Sequence, residues 1–79
     1  VGARTVEGTS GGGMVRVVIS GKLEIRGITI EDSVYADDDR EMLQDLVAAG
    51  VNDALRQAQK MMADEMTQPT GGISLPGFG

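Results

Sequence analysis

The run Gly8-Thr9-Ser10-Gly11-Gly12-Gly13 invites comparison with loops that cradle phosphate through backbone N–H groups. It lacks the Gly-Lys-Ser/Thr ending of such loops, and the residues after it predict a strand where a phosphate loop needs a helix. A flexible connection between strands is the better reading. Asp37, Asp38, Asp39, Glu41 and Asp45 supply the oxygen ligands that a hard cation prefers. Their spacing fits no Ca²⁺ loop and no Gly stands at the required turn, so they read as the solvated, negatively charged start of a helix. Acid–base hydrolysis by paired carboxylates needs one acid raised in pKa by an apolar pocket, and every acid here lies in a polar run or on a polar helix face. Ser10, Ser20, Ser33 and Ser74 have no base to activate them, because the chain has no His. With no Cys either, thiolate nucleophiles, disulfides and thiolate metal sites are excluded together. No catalytic residue, metal ligand, cofactor or small-molecule substrate is expected.

What remains for function is binding. The net charge of −5 opposes a nucleic-acid partner at first sight, since phosphate binding is driven by Lys and Arg. The charges are not evenly spread. Residues 1–30 carry Arg4, Arg16, Lys22 and Arg26 against Glu7 and Glu24, whereas residues 31–79 carry three basic residues against ten acidic ones. Arg56 and Lys60, four apart, share one face of any helix they lie on and form the basic patch of the acidic half. One Tyr and one Phe leave little for stacking on single-stranded bases. Met42, Met61, Met62 and Met66 suggest an adaptable apolar surface, so an adaptor that binds another protein through the Met-rich helix end is the alternative function.

The elements that must position these residues are few. Val1 to Glu7 alternates weakly and predicts an edge strand, and Gly8 to Gly13 is too glycine-rich to lie inside a regular element. Met14 to Ser20 alternates with Val15, Val17 and Ile19 on one face, which predicts a half-buried strand. Ser20-Gly21-Lys22 is a turn signal leading into the β-branched run Leu23 to Ile30. That run changes parity between Ile25 and Ile28, so a β-bulge near Gly27 is required to place its apolar residues on one face. Glu31 to Ala36 reads as irregular. Asp37, Asp38 and Asp39 then open a helix over about 38–66, roughly 40 Å long at 1.5 Å per residue, which Pro69 and Gly71-Gly72 end.

The expected fold class is α+β: a small antiparallel sheet, made of a hairpin and an edge strand, followed by a long C-terminal helix. Residues 1–68 form the single domain and 69–79 a flexible Gly/Pro-rich tail. No apolar run approaches the roughly 18 residues of a membrane span. Strands of about 20 Å cannot cover so long a helix. A second chain is therefore expected against the stripe that includes Leu43, Leu46, Val47, Gly50, Ala54 and Ala58, giving a homodimer. The chain begins with Val1, and its polar start predicts that an N-terminal segment precedes it.

Three stretches carry a family likeness. They are Gly11-Gly12-Gly13-Met14-Val15-Arg16-Val17 through Ser20-Gly21-Lys22, Asp38 through Ala49 with its Glu41-Met42-Leu43 and Asp45-Leu46-Val47-Ala48-Ala49 core, and Val51-Asn52-Asp53-Ala54-Leu55. Gly71-Gly72-Ile73-Ser74-Leu75-Pro76-Gly77 adds a similar ending. In these the chain resembles the YbaB/EbfC family of small, dimeric, nucleoid-associated bacterial proteins. The resemblance implies a homodimer whose helices project like tweezers, DNA binding with modest or variable sequence preference, and a nucleoid-associated location; the reading that follows is a cytoplasmic homodimer that binds duplex DNA mainly through backbone contacts. The helix with which family members begin is absent from this chain, and Gly50 stands where Ala is more usual. Arg56, Lys60, Arg16, Lys22 and Arg26 are then the expected DNA-contact residues.

Overall fold

The computed structural model describes residues 4–36 and 38–67, the last two by backbone alone. Its elements run β1 (Thr5–Ser10), a 3-10 turn (Gly11–Gly13), β2 (Val15–Ser20), β3 (Ile25–Ile30), α1 (Asp32–Ala36) and α2 (Arg40–Thr67). The three strands form one antiparallel sheet in the order β1-β2-β3, and α2 packs across β1 and β2. The α+β architecture expected from the sequence is the one observed. The expected tail lies outside the described residues.

Alternation on β2 sets the core. Val15, Val17 and Ile19 are fully buried beneath Ala54, Ala58 and Met61 of α2, while Arg16 between them is exposed on the other side of the sheet. Residues directly opposed in a sheet share a face, so the pairs Val6–Ile19, Gly8–Val17 and Ser10–Val15 place Val6, Gly8 and Ser10 toward the helix. β1 therefore runs to Ser10, and the expected loop shrinks to Gly11–Gly13. The reason is tertiary. Gly8 allows the backbone of α2 to come close, and the Ser10 hydroxyl donates to the Leu46 carbonyl at 2.6 Å. The three remaining glycines all adopt positive φ, at 61°, 69° and 99°.

The bulge in β3 is present. Val18 pairs with Gly27 and Ile19 with Ile25, leaving Arg26 as the extra residue. Ile25, Ile28 and Ile30 thereby join the face of Ile19, Val17 and Val15. That face is only partly covered, because α2 lies over the other two strands: Ile25 is 42% and Ile28 44% exposed, and Ile30 is half-buried. Leu23, expected in the strand, belongs instead to the turn.

Residues expected to be irregular form α1, whose Val34 is buried. At the start of α2 the Asp39 carboxylate accepts the Met42 backbone N–H at 3.0 Å, the capping role that its position predicts. The helix has 28 residues, about 42 Å of length against strands of about 20 Å. Among the described residues no helix is long and apolar enough to cross a membrane.

Candidate nucleic-acid interface

Phosphate is bound by cations that are free to meet it, so the ion pairs within the chain decide which basic residues are available. Two are formed among the described residues. Arg4 pairs with Glu65 at the far end of α2, and Arg56 lies 3.4 Å from Asp53 one turn earlier on the same helix. Arg16, Lys22, Arg26 and Lys60 have no carboxylate partner among the described residues.

The sheet positions the first group. Arg16 sits at the middle of β2 on the face opposite α2, in a cross-strand row with Thr9 and Thr29, all exposed. Hydroxyls and a guanidinium in such a row are donors of the type that contacts phosphodiester oxygens. Arg26 is held out by the bulge on the neighbouring strand, and Lys22 projects from the β2–β3 turn. Glu7 and Glu24 are the carboxylates of this half of the fold, against three unpaired cations.

The helix positions the second group elsewhere. Arg56 and Lys60 each lie two residues past a buried alanine, Ala54 and Ala58, hence about 200° around the helix and on its solvent side. The structure thus does not bring the five sequence-derived residues together. Arg16 lies on the face of the sheet opposite α2 and Arg56 and Lys60 on the solvent side of α2, while Lys22 and Arg26 are exposed at the β2–β3 turn and the bulge. On the helix side, Asp53 engages Arg56 and the flanking Asp64 and Glu65 dilute the patch; on the sheet side Glu7 and Glu24 lie nearby, but Arg16, Lys22 and Arg26 form no ion pair among the described residues.

Asp53 also joins the two layers. Its carboxylate accepts the Thr9 backbone N–H at 2.8 Å, and this bond, with further ones from Gln57 and Arg56 and the Arg56 charge, holds its pKa below the ordinary Asp value despite opposition from burial. Sequence reading missed it because Thr9 and Asp53 are 44 residues apart. It placed Ser20 in a turn but not its buried role: Ser20 is 1% exposed and its hydroxyl accepts the Lys22 and Glu24 N–H groups at 3.1 and 3.3 Å. A Ser before Gly in a turn was the available signal.

The expected interface residues need a correction. Gly50, Ala54 and Ala58 are buried against the chain's own sheet, with Gly50 facing Val15 and Val17, so they are not free to receive a second chain. Small residues there serve close packing of helix on strand. Leu43, Leu46 and Val47 are half-buried. Since Asp53 faces β1, the flank bearing Val47, Val51 and Leu55, four residues apart, is turned toward β3. Ile25 and Ile28, on the same face of the sheet, are left exposed beyond the reach of α2, while Val51 and Leu55 pack against the edge of the core. Of the methionines, Met61 is buried against the sheet and Met42 and Met62 are half-buried, which leaves little of a Met-rich docking surface; the Met66 side chain lies outside the described residues.

Comparisons with known proteins give one consistent answer. The family model described as the YbaB/EbfC DNA-binding family matches residues 1–73. A nucleoid-associated protein of Desulforamulus reducens is 58% identical over 78 residues, covering 99% of this chain and 74% of the relative. Another from Caldanaerobacter subterraneus subsp. tengcongensis is 54% identical over 75 residues, 95% of this chain and 68% of the relative. Among solved structures, an uncharacterized protein from Helicobacter pylori superimposes with a TM-score of 0.70 at 25% identity, over 85% of this chain and 77% of that one.

Proposed function

The chain belongs to the YbaB/EbfC DNA-binding family, and from that premise we propose that it is a nucleoid-associated protein that binds duplex DNA as a homodimer, mainly through the phosphodiester backbone. The observation that carries the siting of this function is that Arg16, Lys22 and Arg26 on the hairpin form no ion pair among the described residues, beside the exposed hydroxyls of Thr9 and Thr29. Lys60 on α2 is a secondary contact, and Arg56 joins it only by giving up Asp53. Backbone contacts carry little sequence information, so binding is tolerant of base sequence. They also explain how an acidic chain can act on DNA. Screening confines the repulsion from the Asp38–Asp45 end of α2 to roughly 8 to 10 Å, and two-fold symmetry doubles each small basic patch.

The homodimer rests on the exposed apolar residues of β3. Ile25 and Ile28 lie beyond the reach of α2, and burying them against a second copy of the chain suits a two-fold interface. The role is one of binding.

A salt titration of binding to unrelated duplexes tests the reading. We expect affinity to fall steeply and equally for all sequences as salt rises, with a slope of about 0.9 per phosphate contact. Failure of the full-length protein to bind at low salt would refute it.

A further inference from the structure

The β2–β3 turn holds a bulky apolar residue in a backbone conformation that such residues avoid. Leu23 has φ 63°, in the left-handed region where a Cβ crowds the following carbonyl. The surrounding bonds enforce it. The Leu23 N–H donates to the Ser20 carbonyl at 2.9 Å, the Ser20 N–H to the Glu24 carbonyl at 2.9 Å, and the buried Ser20 hydroxyl accepts from the two residues flanking Leu23. Glycine would take this position without strain. Instead the turn presents a leucine that is 46% exposed. Lys22 precedes it and Arg26 follows three residues later, neither ion-paired among the described residues; Glu24 is the carboxylate of the segment 21–26.

The last residue of a three-residue hairpin connection takes this conformation as a rule, and glycine usually fills it, so a half-exposed leucine there, between two cations, points to use rather than to packing. We propose that Leu23 is an apolar wedge that enters the DNA minor groove between two base pairs, with Lys22 and Arg26 on the adjacent phosphates. This deepens, and rests on, the reading of the chain as a duplex-DNA binder. Partial intercalation of an aliphatic side chain unstacks a base step and kinks the duplex, and basic neighbours hold the strands at the kink. Pyrimidine–purine steps unstack most readily, so the wedge would favour them without a single base-edge hydrogen bond.

The test compares the full-length wild-type protein with Leu23→Gly, reading DNA bending by energy transfer between the ends of a short duplex, affinity at fixed salt, melting temperature and oligomeric state. We expect the wild type to bend DNA by roughly 20 to 90°. Leu23→Gly should lose most of that bend and bind roughly tenfold more weakly, the loss expected when kinking no longer brings extra contacts. Its Tm should equal or exceed that of the wild type, because Gly adopts φ 63° freely, so lost bending could not be laid to misfolding. An unchanged bend and affinity in Leu23→Gly overturns the wedge while leaving DNA binding intact. A shift to monomers overturns it by assigning Leu23 to the subunit contact. No binding by the wild type at low salt overturns the wedge and the DNA reading together.

Discussion

Gly8 of β1 lies directly beneath Ala54 of α2, so close that a Cβ on residue 8 would stand 2.1 Å from the Ala54 backbone nitrogen and 2.5 Å from its Cα. Backbone cannot rotate away as a side chain can, so even one methyl must push helix and sheet apart. Gly8→Ala should therefore destabilise the fold by about 3 kcal/mol, at the severe end of overpacking, and lower Tm by roughly 10 °C or more in a domain of this size. A thermal melt within a few degrees of wild type would show that the layers are further apart than this.

The same contact zone has an electrostatic pin. Asp53 accepts the Thr9 N–H across the layers and has a folded-state pKa below the ordinary 3.8. A depressed carboxylate contributes stability that is fully present above the unfolded pKa and lost as pH falls through the folded one. Urea melts of wild type and Asp53→Asn should hence differ at pH 7 and converge only as the pH falls below 3.8, through the lowered folded-state pKa. A constant difference across that range would mean that the carboxylate charge plays no part.

Much of the architecture was legible from periodicity alone. The odd-numbered apolar residues of β2, the parity break that demands an extra residue near Gly27, and the acidic cap before α2 all follow from local sequence, and each is found. What was not legible depends on long-range placement. Gly8 reads as a loop residue unless one knows that Ala54 lies over it, and the small residues Gly50, Ala54 and Ala58 fit a contact with a second helix as well as one with the chain's own sheet. The five basic residues showed the same limit, since sequence order does not reveal that Arg16 and Arg56 face opposite ways.

The subunit contact can be tested at positions that leave each subunit's core alone. Ile28 is 44% exposed on the sheet face beyond the reach of α2, and Leu55 packs at the edge of the core. Ile28→Lys would set an ammonium in a surface that must lose its water on association, where unpaired burial costs several kcal/mol. We expect it to shift the protein from dimer to monomer by light scattering with near-native helix content. Gly50→Glu, by contrast, should unfold the chain, because its side chain would meet Val15 and Val17 at about 3 Å. A dimer that survives Ile28→Lys at micromolar concentration would place the contact elsewhere.

Two charge reversals decide which side of the layer meets DNA. Arg16→Glu with Arg26→Glu alters the hairpin, where neither guanidinium has a carboxylate partner among the described residues and where no buried residue is touched. Arg56→Glu with Lys60→Glu alters the helix face, where one of the two cations already neutralises Asp53. If phosphates are held by the cations that form no ion pair, the hairpin pair should weaken binding to every duplex alike and flatten the plot of log K against log salt. Each lost contact removes about 0.9 from the slope, so up to about 3.6 would go with two residues in each of two subunits. The helix-face pair should have less effect, about 0.9 for Lys60 in each subunit, because Arg56 brings little free charge to the surface. The opposite ranking would transfer the principal site to α2. It would also mean that DNA displaces Asp53 from Arg56, in which case Asp53→Asn should strengthen binding in the otherwise unaltered protein. Nearly equal losses in both pairs, each with a full drop in slope, would instead describe a duplex that reaches around the β1 edge to touch both sides.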